Sequence, residues 1–142
     1  MAIRIASAEW KGGLVGGEGS FSGASGHVAG AYSYESRFEE NGATSPEELV
    51  AAAHASCYSM FLAAVLEQGG HDPESVRTEA NVQILEVGEG FEVTRIDLST
   101  VGRASVDQAG FEQAAQVAKE NCPISKALAA VSEINVDAKL ES

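Results

Sequence analysis

The chain has 142 residues, 44% of them hydrophobic and 21% charged, which suits one soluble domain with a single hydrophobic core. A formal net charge of −12 at pH 7 argues against nucleic acid and anionic membranes, since both need a basic footprint. The start, Met1-Ala2-Ile3-Arg4-Ile5, alternates like a strand and lacks a continuous apolar stretch, so no signal peptide is expected and the chain reads as cytoplasmic. In that compartment its two cysteines are free thiols or a redox pair.

Residues 3–10 alternate as a strand, and Gly12-Gly13 reads as a turn. Residues 14–30 are rich in Gly and Ser and predict a weak strand with a loop; no phosphate-binding fingerprint occurs there. From Val28 to Phe38 the even positions are largely apolar or aromatic while Glu35 and Arg37 fall on odd ones, predicting a half-buried strand. Asn41-Gly42 marks a turn.

A helix start follows. Ser45 is placed as N-cap, Pro46 at the first helical position and Glu48 at the capping-box position. Leu49 to Leu66 contains no charged side chain, so this helix should be buried on every side. The run just reaches membrane-spanning length, but its Ala, Ser, His and Cys content and its acidic flanks, Glu47 and Glu67, read as a buried helix. Gly69-Gly70 ends it. Val76 to Val87 alternates, Gly88-Glu89-Gly90 turns the chain, and a phase change near Thr94-Arg95 predicts a bulge in the returning strand. Asp107 caps a helix over about 108–121, Cys122-Pro123 opens a short one to Ala130, and Ile134 to Leu140 alternates as a last strand. The order predicts an α+β fold in one domain, 1–142: strands and a Gly-rich loop (1–43), a central helix (45–69), a hairpin (75–103), helices (107–130) and a final strand (131–141).

Two thiols 65 positions apart form neither a CxxC motif nor a zinc ribbon, and no metal site is expected. They are either buried structural thiols or functional ones. Cys122 lies at a helix N-cap, where the macrodipole favours thiolate; Cys57 lies in a helix interior and would need a cationic partner. Local physics therefore makes Cys122 the more acidic thiol. His54, one turn before Cys57, is either packed in the helix or half of a Cys/His pair. Glu47 precedes Cys57 by ten residues, roughly 15 Å along a straight helix, so the two cannot meet within one chain. Two antiparallel copies crossing at a two-fold axis could bring them together.

Taken together, Tyr34-Glu35-Ser36-Arg37-Phe38-Glu39, Ser45-Pro46-Glu47-Glu48-Leu49 through Ala53-His54-Ala55-Ser56-Cys57-Tyr58-Ser59-Met60, and Asn121-Cys122-Pro123-Ile124-Ser125 resemble the OsmC/Ohr family of thiol-dependent peroxidases, in its OsmC branch. The resemblance runs over about residues 32–140 and is poorest in the Gly-rich stretch 12–30. It implies an OsmC-like fold: an intertwined homodimer whose two long central helices are wrapped by β-sheets, with active sites at the interface. By this resemblance Cys57 is the peroxidatic cysteine and Cys122 the resolving one. Arg37 holds and ionises the thiolate, and Glu47 orients Arg37. A guanidinium is a full charge where the helix dipole supplies about half of one, which favours this assignment over the local one.

The implied reaction reduces organic hydroperoxides, and hydrogen peroxide more weakly, through a Cys57 sulfenic acid and a Cys57–Cys122 disulfide. A lipoyl-type dithiol restores the thiols without any cofactor. Tyr58, Met60 and Phe61 are expected in the apolar pocket. The alternatives are a Cys57/His54 acyl-transfer hydrolase and a non-catalytic dimeric ligand-binding domain on the same fold.

Overall fold

A computed structural model describes residues 1–40 and 42–141, which form two units, Met1–Leu49 and Val50–Ser142. Of the expected Asn41-Gly42 turn, Asn41 lies outside the described residues.

The first unit carries an antiparallel sheet of β1 (Ala6–Lys11), β2 (Glu18–Gly23) and β3 (Ala29–Tyr32), in the order β1-β2-β3. The Gly-rich stretch thus supplies strand β2 and the loop that leads into β3. Gly19 shows why glycine is needed: a Cβ there would come within 2.5 Å of the Tyr32 ring, which packs beside Trp10 at a centroid distance of 5.5 Å.

The strand expected over Val28–Phe38 stops at Tyr32 and gives way to a 3₁₀ turn at Glu35–Arg37. Two serines cause this. The Ser36 N–H donates to Ser33 Oγ at 3.0 Å and the Ser33 N–H to Ser36 Oγ at 2.9 Å. These side-chain bonds offer the backbone an alternative to a ladder, and alternation alone does not reveal them. The Ser36 hydroxyl also contacts the Thr44 carbonyl at 2.6 Å, which ties the turn to the segment before the long helix.

Helix α1 (Pro46–Gln68) starts as its sequence dictates, with the Glu48 N–H donating to Ser45 Oγ at 3.1 Å. The Glu48 carboxylate is engaged by the Thr44 hydroxyl. At the other end the His71 N–H closes onto the Leu66 carbonyl at 2.9 Å. α1 has the length and composition of a membrane span, with a mean hydropathy of 1.8.

In the second unit β4 (Ser75–Val87) and β5 (Gly90–Arg103) form a long antiparallel pair, joined by a turn at Gly88-Glu89. Thr94 is the extra residue where the register slips between Gln83 and Ile84, so the phase change is a bulge. β6 (Glu133–Leu140) runs parallel to β5, and parallel pairing requires a crossover. That crossover contains α2 (Gln108–Asn121), capped by Asp107, and α3 (Pro123–Ala127), which is shorter than expected.

The core joins Tyr58, Leu62 and Leu66 of α1, Ile96 and Leu98 of β5, Phe111, Ala115 and Ala118 of α2, and Cys122. Each buried Leu or Ile contributes about 2 kcal/mol. Gly102 admits the Phe111 ring, which would lie 2.6 Å from any Cβ placed there. Beneath α1 a hydroxyl chain runs from Ser59 to Thr78 at 2.8 Å and from Thr78 to Thr100 at 3.1 Å.

Burial of α1 is one-sided in the single chain. His54, Tyr58, Leu62 and Leu66 are buried, whereas Leu49 is 36% and Met60 72% exposed, with Ala52, Ala53 and Ser56 on that open side. The expectation of burial all round thus fails for one chain, because the packed elements cover only a single stripe of an apolar helix.

Candidate active site

In the second unit the two thiols come together. Cys57 Sγ and Cys122 Sγ stand 3.2 Å apart. α1 presents Cys57 beside the core, and Pro123 ends α2 so that Cys122 sits at the bend into α3. Cys122 is fully buried, while Cys57 is half-buried.

Their electrostatics differ in sign. Burial pushes the Cys57 thiol up; Cys122 adds to this and the Ile124 N–H opposes it. Burial also pushes Cys122 up, but there the Ser125 N–H, the Cys57 thiol, the Ser125 hydroxyl and the Ile124 N–H together hold it below its ordinary value. The Cys122 side chain makes no N-cap hydrogen bond of good geometry, and the pull comes from the N–H and O–H donors gathered close to its sulfur. The local expectation of an acidic Cys122 agrees with this arrangement.

His54 does not serve Cys57. Its Nε2 lies 2.7 Å from Ser125 Oγ, and its Nδ1 has no hydrogen-bond partner. Both residues are buried, His54 completely, and burial lowers the imidazole's pKa. The Cys57/His54 pair of the hydrolase alternative is thus not assembled. Tyr58 is also reassigned. It is fully buried with its hydroxyl donating to the Ala115 carbonyl at 2.9 Å, so it belongs to the core rather than to a pocket lining. Met60 is on the exposed side of α1 and Phe61 packs against the core.

In the first unit Arg37 and Glu47 form a two-point ion pair. Arg37 Nη2 donates to Glu47 Oε1 at 2.6 Å, and Nε lies 3.2 and 3.3 Å from the two carboxylate oxygens. The hydrogen bond to Glu47 raises the guanidinium pKa against a smaller effect of burial. Glu47 is buried and the Arg37 side chain keeps 31% exposure, so the carboxylate anchors a guanidinium with a free side. Beside it lies an aromatic cleft of about 230 Å³ lined by Trp10, Leu14, Tyr32, Tyr34, Arg37 and Pro46. Among the described residues, no three His, Cys, Asp or Glu side chains converge as a metal site.

Sequence reasoning gave no role to Ser125, although Cys122-x-x-Ser125 has the spacing that carries an N3 side chain back to an N-cap. The Ser33/Ser36 lock behind Arg37 was legible only as two serines three apart.

Comparison with known proteins agrees in scope with the motifs. The OsmC-like protein family model matches residues 39–137. Peroxiredoxin OsmC of Escherichia coli strain K12 is 40% identical over 137 residues, which is 95% of this chain and 94% of that protein. Among solved structures, the organic hydroperoxide resistance protein OsmC of Legionella pneumophila superposes with a TM-score of 0.70 at 23% identity, covering 100% of both chains. An organic hydroperoxide resistance protein of Elizabethkingia anophelis gives 0.75 at 19% identity, covering 99% of this chain and 98% of that one. These two structures speak for the fold.

Proposed function

Since this chain belongs to the OsmC-like family, we propose that it is a thiol-dependent peroxidase reducing hydroperoxides. The observation that carries the reading is the thiol pair: two sulfurs 3.2 Å apart, one open and one sealed. Access supports the roles of the two cysteines. A peroxide can reach Cys57, so Cys57 attacks the distal oxygen, alcohol or water leaves, and a sulfenic acid forms. Cys122 then displaces its oxygen and closes the disulfide, and a lipoyl-type dithiol returns both thiols by exchange.

Ionising Cys57 at neutral pH requires a cation, because burial works the other way. Arg37 is that cation, fixed by the buried Glu47. An Arg37–carboxylate fork leaves guanidinium donors for a thiolate or a peroxide oxygen. Two copies of the chain form the working unit, their α1 helices pairing through the face that one chain leaves open. The aromatic cleft beside Arg37 suits an alkyl chain, which favours organic hydroperoxides over hydrogen peroxide. The protein works in the cytoplasm, where its thiols stay reduced between turnovers.

The test is a peroxide pulse on the reduced protein followed by peptide mass mapping, with turnover of an alkyl hydroperoxide and of hydrogen peroxide under a lipoyl dithiol. A Cys57–Cys122 disulfide and faster alkyl turnover are expected. Cys57 remaining reduced would overturn the peroxidase reading.

A further inference from the structure

We propose that His54 and Ser125 form a buried positioning pair that turns the Ser125 hydroxyl onto Cys122 and so prepares the resolving thiol to attack oxidised Cys57. The inference rests on the peroxidase reading and deepens it.

Ser125 has one hydroxyl proton and two neighbours, His54 Nε2 at 2.7 Å and the Cys122 thiol one helical turn back, whose ionised form the hydroxyl favours. The proton can serve only one of them. His54 Nδ1 decides which. It is sealed from water with no partner, and a buried N–H without an acceptor is the costlier orphan of the two ring states. The ring therefore carries its proton on Nε2 and donates to Ser125 Oγ, which leaves the serine proton for the Cys122 sulfur. Burial keeps the ring neutral, which preserves this tautomer. Neither His54 nor Ser125 is required by the core, since an apolar pair would fill the same space without an orphaned nitrogen.

The step is resolution. Cys122 attacks the Cys57 sulfur with its electron pair, the S–S bond forms and the S–O bond breaks. The departing hydroxide takes up the proton that Cys122 released, leaving as water. The Ser125 hydroxyl supports the Cys122 thiolate before attack and releases it as the charge disappears. Cys57 and Tyr58 on α1 are the titratable groups facing Cys122, and Tyr58 is held neutral by burial with its hydroxyl on Ala115.

The experiment separates oxidation from closure by rapid quench with a sulfenic acid trap, across pH. Ser125→Ala should slow disulfide closure about tenfold at neutral pH, accumulate trapped Cys57 sulfenic acid and shift the closure profile to higher pH. Ser125→Thr, which keeps the hydroxyl, should restore closure. His54→Leu should match Ser125→Ala, the double variant should be no slower than either, and His54→Gln should keep most of the rate through its amide donor. Closure at the unaltered rate and pH in Ser125→Ala overturns the inference, as does additivity in the double variant. Should His54→Leu not fold, the Ser125 alanine and threonine variants decide alone. If the unaltered protein forms no sulfenic acid, the peroxidase reading fails instead.

Discussion

A guanidinium gripped at two points by a buried carboxylate is directed as well as charged, and Arg37 on Glu47 has that form. Removing the charge with Arg37→Ala should lower Cys57 oxidation at pH 7 by at least about tenfold. The loss should recover as pH rises, because hydroxide can ionise the thiol that burial holds up; stopped-flow rates across pH check this. Glu47→Gln, which keeps a hydrogen bond but not the ion pair, should fall between the two. His54 gives a stability prediction of defined sign. Its folded pKa lies below the ordinary 6.5, so in the window below 6.5 the unfolded chain binds more protons and stability falls as pH falls. Urea melts at pH 7 and pH 5 should show that loss, and His54→Gln should reduce it. Of these residues, the cysteines and Glu47 draw notice by themselves, but Arg37 and the roles of all four come only through the family's motifs, because no local pattern links positions 37, 47, 57 and 122. The contact of His54 with Ser125 joins residues 71 apart and had no sequence signal at all.

Elements announced themselves where local chemistry and tertiary packing agree. The Ser45 cap, the Gly69-Gly70 stop, the bulge at Thr94 and the Asp107 cap each rest on one or two residues whose backbone preferences the fold uses. Ser45→Ala should cost about 1 kcal/mol by chemical denaturation, since one orphan N–H of α1 loses its acceptor. Gly102→Ala should cost more, about 1–3 kcal/mol, by forcing the Phe111 ring out of its seat against β5. Alternation predicts strand after Tyr32 because it counts side chains and is blind to Ser33 and Ser36 bonding backbone. Equally, the all-apolar run of α1 shows that the helix must be covered without showing which stripe its own chain covers.

At the scale of the whole molecule, the mixed order of strands and helices was readable as α+β, while the pairing of β6 parallel to β5 was not, since periodicity carries no direction. The uncovered face of α1 is where a second copy is expected. Met60→Glu should convert the protein to monomer in analytical ultracentrifugation and lower its melting temperature, with wild-type melting rising as protein concentration rises. The unequal exposure of the two sulfurs also dictates how the spent enzyme is recharged. Closing the disulfide asks for a movement of about 1 Å, so reduction and oxidation interconvert without rebuilding either element. On the proposed function, a reductant arriving from solvent should meet the Cys57 sulfur, because Cys122 is sealed, and form the mixed disulfide there. Cys122 is then the leaving group, and the N–H groups that hold its pKa down make it a good one. The groups that prepare one cysteine to close the bond thus also prepare it to let go.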